Sequence, residues 1–363
     1  MRKAQQIHFK RNANLENKKH RNAIRRATKK YGCYKSGQNK FLGDYTPIRA
    51  PQSVSIYATN KQNTERFSQT IDFINEITKN LAKAPILIDF SETKHITAAA
   101  MVTLYASVDS QMDQKAYDIR IRWSRVSYGV NKMLKRSGFY SLVRKKKVAE
   151  VNNFTSLQHL PVMSGIGNEY VDDIIDHIAS KYRGELDFET EHLYGDAVTE
   201  TVNNVGRHAY PNNTSTERKW WILCEVILNQ LYLAIYDIGI GIPNTVVKHK
   251  WYPRTVQKMY PKQYNEALNT PVNESKFIPL LRLPDHDLIN LSMLGDVSAT
   301  RLDKHGQGSK SIKALVNETE EGKLWIFSSK GLLIYESNSK PVNLVALPKT
   351  IPGTLIQWNI KLS

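Results

Sequence analysis

The chain has 363 residues, 41% hydrophobic and 23% charged, with 51 Lys and Arg against 34 Asp and Glu. This composition excludes collagen-like, mucin-like and wholly disordered chains, and the length suits two or three domains that need no disulfide or metal staple. Of the formal charge of +17, residues 1–40 carry +12 (13 basic residues against Glu16), which leaves +5 for the other 323.

Two cysteines, Cys33 and Cys224, cannot build a disulfide framework or a metal site and fit a reducing cytoplasm. Residues 1–30 have no apolar signal-peptide core, and no apolar run approaches the ~18–20 residues of a membrane span. The expectation is a cytoplasmic protein without a membrane contact.

In chain order, residues 1–48 form a basic, flexible tail too poor in apolar residues to make a core. Arg21, Arg25, Arg26, Lys29 and Lys30 surround Ile24 on what can be one face of a short helix. The tail reads either as a solvated arm or as an electrostatic grip on nucleic acid, with Tyr31 and Tyr34 available for stacking.

Residues 49–145 alternate strand and helix patterns. Ser53–Ala58 is strand-like, 64–82 is helical through Phe67, Ile71, Ile74 and Leu81, and Pro85–Phe90 is a compact buried strand. An Ala-rich helix at 97–112, a strand at Tyr117–Trp123 and an amphipathic helix at 129–143 complete an α/β sandwich with a partly parallel sheet. Residues 146–165 read as a linker.

Residues 166–363 carry a second α/β pattern. Helices are expected at 167–183 and 189–208, and a hairpin at 219–228 with 231–237. A second hairpin is expected at 323–328 with 332–336 across Ser329-Lys330-Gly331, and a last strand at 354–362.

The chemistry gathers in this second half. Glu200, Asn204 and His208 are spaced by four, so on an α-helix they stack along one face. A carboxylate one turn from a carboxamide can orient a water beside a metal, and the carboxamide oxygen is a hard ligand for Mg²⁺. Asp237-Ile-Gly239-Ile-Gly241-Ile-Pro243 follows a strong strand, placing a hydrogen-bond acceptor beside a backbone able to turn sharply. His305-Gly306-Gln-Gly308-Ser309-Lys310 opens a helix and offers N–H groups to phosphates, without Walker or Rossmann spacing. Pro352-Gly353-Thr354 begins the final strand with a hydroxyl.

Taken in order, these four elements resemble the boxes of the GHKL ATPase superfamily, which spans gyrase-type topoisomerases, ninety-kilodalton-class chaperones, mismatch-repair ATPases and histidine kinases. The N-box matches Glu200, Asn204 and His208 in a form closest to anti-sigma-factor serine kinases; the G1 box matches Asp237, Gly239 and Gly241; the G2 box matches Gly306 and Gly308. Gly353 and Thr354 match the terminal Gly-Thr. The resemblance implies a two-layer α/β sandwich with a mixed sheet that binds ATP and Mg²⁺. Asn204 would ligate the metal, Asp237 would hold adenine, Gly306 and Gly308 would wrap the phosphates, and Glu200 would be the catalytic base. His208, Gly239, Gly241 and Thr354 would complete the nucleotide site. Residues 242–305 would form an enlarged lid with helices of its own at 255–268 and 277–294.

The first domain resembles the STAS fold through Ile86-Leu-Ile-Asp-Phe-Ser91, Ile96-Thr-Ala-Ala-Ala-Met101 and Asn131–Tyr140. Where signalling STAS members carry a phosphorylatable Ser, this chain has Thr97-Ala98-Ala99-Ala100, so the resemblance implies a docking or homo-oligomerisation module without that switch unless Thr97 takes its place. The functions expected are a slow, nucleotide-gated ATPase that docks a protein partner through the STAS-like domain or the lid. A serine/threonine kinase and an ATP-gated nucleic-acid factor using residues 1–48 are the alternatives.

Overall fold

The computed structural model describes residues 45–112, 118–144, 160–181, 188–211, 218–227, 230–270, 278–294, 307–319, 321–337 and 339–361, and singly 14 and 18. Most of the basic tail, most of the linker, and Gly306 lie outside the described residues. The chain is mixed α/β and divides into two units, Met1–Val151 and Asn152–Ser363. No described helix is long and apolar enough to cross a membrane.

In the first unit, β1 (Thr46–Arg49), β3 (Ile86–Asp89) and β5 (Ile119–Arg122) form a parallel sheet in the order β1-β3-β5. A two-residue parallel pair, β2 (Ser53–Val54) and β4 (His95–Ile96), stands beside it. Parallel neighbours need crossovers, and two helices supply them. The helix α1 (Lys61–Leu81) starts at Asn60, whose side chain accepts the Asn63 N–H at 2.9 Å, and buries Phe67, Ile71, Ile74, Ile77 and Leu81. In α2 (Ala98–Met112) every residue from Ala98 to Val108 is buried. A helix apolar on all sides belongs inside a core, and its alanines let neighbours approach closely.

Two boundaries differ from the sequence reading. Thr46–Arg49 is strand and Ile48 is wholly buried, so the folded unit begins inside the segment assigned to the tail. The single helix expected at 129–143 is two, α3 (Tyr128–Arg136) and α4 (Phe139–Val143), because Gly138 adopts φ +77° and breaks the α-helical path.

The second unit is a five-stranded sheet in the order β6-β7-β8-β10-β9. Its strands are β6 (Met163–Ile166), β7 (Lys219–Ile227), β8 (Gln230–Asp237), β9 (Lys323–Tyr335) and β10 (Asn343–Lys361). The expected linker thus ends in strand β6, with Leu160 and Val162 already buried. Every pairing among the described strands of this five-stranded sheet is antiparallel, which corrects the mixed sheet expected for the second unit. The reason is placement: β8 and β9 run the same way, but β10 lies between them.

The hairpin expected across Ser329-Lys330-Gly331 does not form. β9 runs straight through these residues, and both its halves pair with β10, which starts at Asn343 instead of 354. Register shifts at Ala346/Ile351 and Ile351/Thr354, with Ser329 at φ +52°, absorb the bend.

The helices α5 (Val171–Lys181), α6 (Phe188–Asn204) and α11 (Gln307–Asn317) build the second layer, with α6 packed on α5, on α11 and on β8. Trp358 of β10, fully buried, donates its indole N–H to the Ile312 carbonyl of α11 at 2.9 Å. Between β8 and α11 stand α7 (Ile242–Val246), α8 (Tyr252–Met259), α9 (Pro261–Leu268) and α10 (Asp285–Met293). Val246, Tyr252, Val256, Leu281, Leu283 and Leu288 give this region its own apolar cluster. It is also docked on the sheet. The Lys330 N–H donates to the Asp285 carboxylate at 2.9 Å, and a Cβ on Gly331 would lie 2.7 Å from backbone atoms of Asp285 and His286.

Candidate functional site

Four strands contribute one residue each to a row at the end of the sheet: Trp220, Asp237, Thr354 and Ser328 are successive register partners across β7, β8, β10 and β9. Side chains in one cross-strand row share a face, so Asp237, Thr354 and Ser328 stand together. All three are buried, Asp237 to 4% exposure.

Asp237 closes β8. Its Oδ1 accepts the Gly239 N–H at 2.8 Å, and the Thr354 backbone N–H gives it a second bond. Burial pushes its carboxyl up to about 7, and these two N–H donors only partly oppose the rise. No cation pairs with it among the described residues. The result is a carboxyl poised between protonation states, with lone pairs left to accept an amine N–H.

The glycines around it are demanded by close backbone approach. A Cβ on Gly239 would sit 2.3 Å from the Ala209 carbonyl oxygen, and one on Gly353, at φ +67°, would sit 1.9 Å from the Asp237 carbonyl oxygen. Gly241, at φ +81°, faces the Ser328 hydroxyl. That hydroxyl ties the row to the turn: it donates to the Gly353 carbonyl at 2.8 Å, lies 3.2 Å from Thr354 Oγ1, and accepts the Ile242 N–H at 2.9 Å.

The helix α6 carries Glu200 and Asn204, both half-buried and one turn apart, so they share a face as the spacing requires. His208 does not continue that stack. Val205–Ala209 is a π-helical turn, which inserts an extra residue and rotates the chain beyond Asn204 off that face. His208 is exposed, its ring 6.0 Å from His249, which in turn stacks on Trp251 at 5.3 Å.

The π turn brings α6 to the glycine turn, since the Ala209 carbonyl at its end accepts the Ile240 N–H at 2.8 Å. Next to it, the Tyr210 hydroxyl donates to the Lys219 carbonyl at 2.8 Å and accepts the Ile238 N–H at 2.9 Å. Burial, and then the Asp237 charge, hold that phenol above its usual range.

Gly308 is the second residue of α11, whose first turn offers backbone N–H groups with no intrahelical partner. The structure therefore brings Asp237, Gly239, Gly241 and Thr354 into one knot, with α6 clasped to it through Ala209 and Ile240. It separates His208 from Glu200 and Asn204. Sequence reasoning missed Ser328, for which nothing local signals a role, and Tyr210, which stands two residues beyond His208. Among the described residues no three His, Cys, Asp or Glu side chains converge as a metal cluster.

No protein-family model matches the chain, and no curated protein matches it significantly.

Proposed function

We propose that the second unit is a GHKL-type nucleotide-binding module that holds Mg·ATP and hydrolyses it slowly. The observation that carries this reading is the knot itself: a buried, uncharged-to-anionic carboxyl at a strand end, in register with a strand-borne Thr and ringed by glycines that admit no side chain. Adenine suits such a site, because its exocyclic amine can donate to Asp237 while Thr354 and the close backbone shape the pocket. Asn204 would supply one oxygen to Mg²⁺, and Glu200, one turn earlier, would take a proton from the attacking water. Positioning and charge stabilisation would supply most of the rate.

We propose in the same way that the first unit is a STAS-like docking module. Thr97 serves the fold there: its hydroxyl accepts the Ala100 N–H at 3.4 Å, at the start of a helix otherwise opened by alanines. A phosphorylation switch at 98–100 is chemically impossible.

Calorimetry with Mg·ATP and phosphate-release assays test the nucleotide reading. Asn204→Ala weakens Mg·ATP binding, and Glu200→Ala keeps binding while losing turnover. Wild-type affinity in the first variant together with wild-type turnover in the second defeats the mechanism. Labelled phosphate recovered on a protein instead of in solution makes the enzyme a kinase, with Glu200 activating a hydroxyl.

A further inference from the structure

The excess charge of this chain has a sharp boundary. Residues 145–363 contain 24 basic and 24 acidic residues and balance to zero, so the whole +17 belongs to residues 1–144. Within the folded part of that half, Ile119–Arg144 holds seven Lys and Arg and no acid.

Much of that charge lies on one strip of half-buried and exposed residues. Val130, Met133 and Leu134 turn α3 inward, while Tyr128, Lys132, Lys135 and Arg136 fall at i, i+4, i+7 and i+8 on the outward face. Tyr128 is 66% exposed, the most exposed large apolar ring of the described residues. Arg125 precedes the helix, and neither it nor Lys132 is engaged in an ion pair among the described residues. Lys135 is held over the Trp123 ring at 5.4 Å, which fixes one cation in place.

The open groove of about 540 Å³ in the same unit offers no such bias. Arg49 and Arg122 line it opposite Glu76 and Asp89, and Arg122 is already bonded to Asp89 at 2.6 Å. The helix strip, by contrast, contains no acidic residue of its own.

We propose that the strip formed by Tyr128, Lys132, Lys135, Arg136 and Arg125 binds single-stranded nucleic acid, with the cations on successive phosphates and the Tyr128 ring stacked on a base. Charge complementarity selects a polyanion. The exposed ring selects one with unpaired bases, because stacking needs a free π-face. A lipid surface fits less well, since a helix lying on a membrane inserts a stripe of apolar residues, and those of α3 are spent on the core. This site belongs to the folded domain, so it differs from a grip by the basic tail and is independent of the nucleotide reading.

The test measures binding of the full-length chain to a labelled oligouridylate of about 20 nucleotides, and to a duplex, between about 50 and 200 mM salt. The triple variant Lys132→Gln, Lys135→Gln, Arg136→Gln replaces none of the buried residues of α3, and its melting curve checks that it folds. Three lost phosphate contacts make the slope of log K against log salt shallower by about 2, and weaken binding about 100-fold near 0.1 M. Tyr128→Ala weakens single-strand binding about 5- to 150-fold and leaves duplex binding unchanged. The proposal is overturned if the triple variant keeps wild-type affinity and slope, which would assign binding to the tail. It is equally overturned if wild type fails to bind the oligonucleotide at low salt, or if it binds anionic phosphatidylserine vesicles and not the oligonucleotide.

Discussion

Replacing Asp237 by Asn separates a carboxyl kept for a ligand from one kept for the fold. The carboxyl rises from an ordinary 3.8 to about 7 on folding, which corresponds to about 4 kcal/mol of differential stability. Between those values the folded chain holds a proton that the unfolded chain has released. Stability from this group is therefore complete below about pH 4, falls as pH rises, and is gone above about pH 7. The carboxamide does not titrate. It still accepts the Gly239 and Thr354 N–H groups through its oxygen, although its own N–H donors, if unmet, cost about 1–3 kcal/mol. The variant should gain on wild type by as much as about 4 kcal/mol in urea unfolding between about pH 4 and pH 8. Its affinity for Mg·ATP should move the other way, because a hydrogen bond to a charged acceptor, worth about 1.5–3 kcal/mol, is lost, a weakening of about 10- to 150-fold. Calorimetry near pH 7 in buffers of different ionisation enthalpy should show protons released when wild type binds nucleotide and none for the variant. A stability difference that does not change with pH refutes the raised carboxyl. Wild-type nucleotide affinity in the variant refutes its contact with the base.

Two further outcomes test the frame around that carboxyl. Gly353→Ala forces a Cβ to 1.9 Å from the Asp237 carbonyl oxygen at a left-handed φ of +67°, so the strand end must move. A loss of at least about 3 kcal/mol in denaturant unfolding is expected, and a loss below about 1 kcal/mol would show that β8 and β10 are not so closely apposed. In the helical region, the buried Tyr252 hydroxyl donates to the Leu281 carbonyl at 2.6 Å and accepts the Leu283 N–H at 3.2 Å. Tyr252→Phe strands both backbone groups and should cost about 1–3 kcal/mol. Unchanged stability would mean that α8 does not dock on 281–283.

Several parts of the fold were legible because their signals are local. The spacing of Phe67, Ile71 and Ile74 marks α1, and Glu200 and Asn204 share a face because α6 is regular up to Asn204. His208 leaves that face because the helix switches at Val205 to a π turn that no four-residue spacing anticipates. Ser329-Lys330-Gly331 has turn composition, yet Gly331 is there because α10 presses on β9, a contact between segments about 45 residues apart. Turn residues report a local backbone requirement and not what imposes it.

The sequence by itself determined the alternation of helix and strand, the segregation of positive charge into residues 1–144, and which polar residues stand at the ends of elements. These depend on periodicity, capping and composition, which act over a few residues. Only the tertiary structure decided that the second sheet is antiparallel throughout, that Asp237, Thr354 and Ser328 form one row, and that the Asp237 carboxyl rises to about 7. Strand order, burial and the electric environment of a buried group are set by residues far apart in the chain, and distance along the sequence carries no record of them.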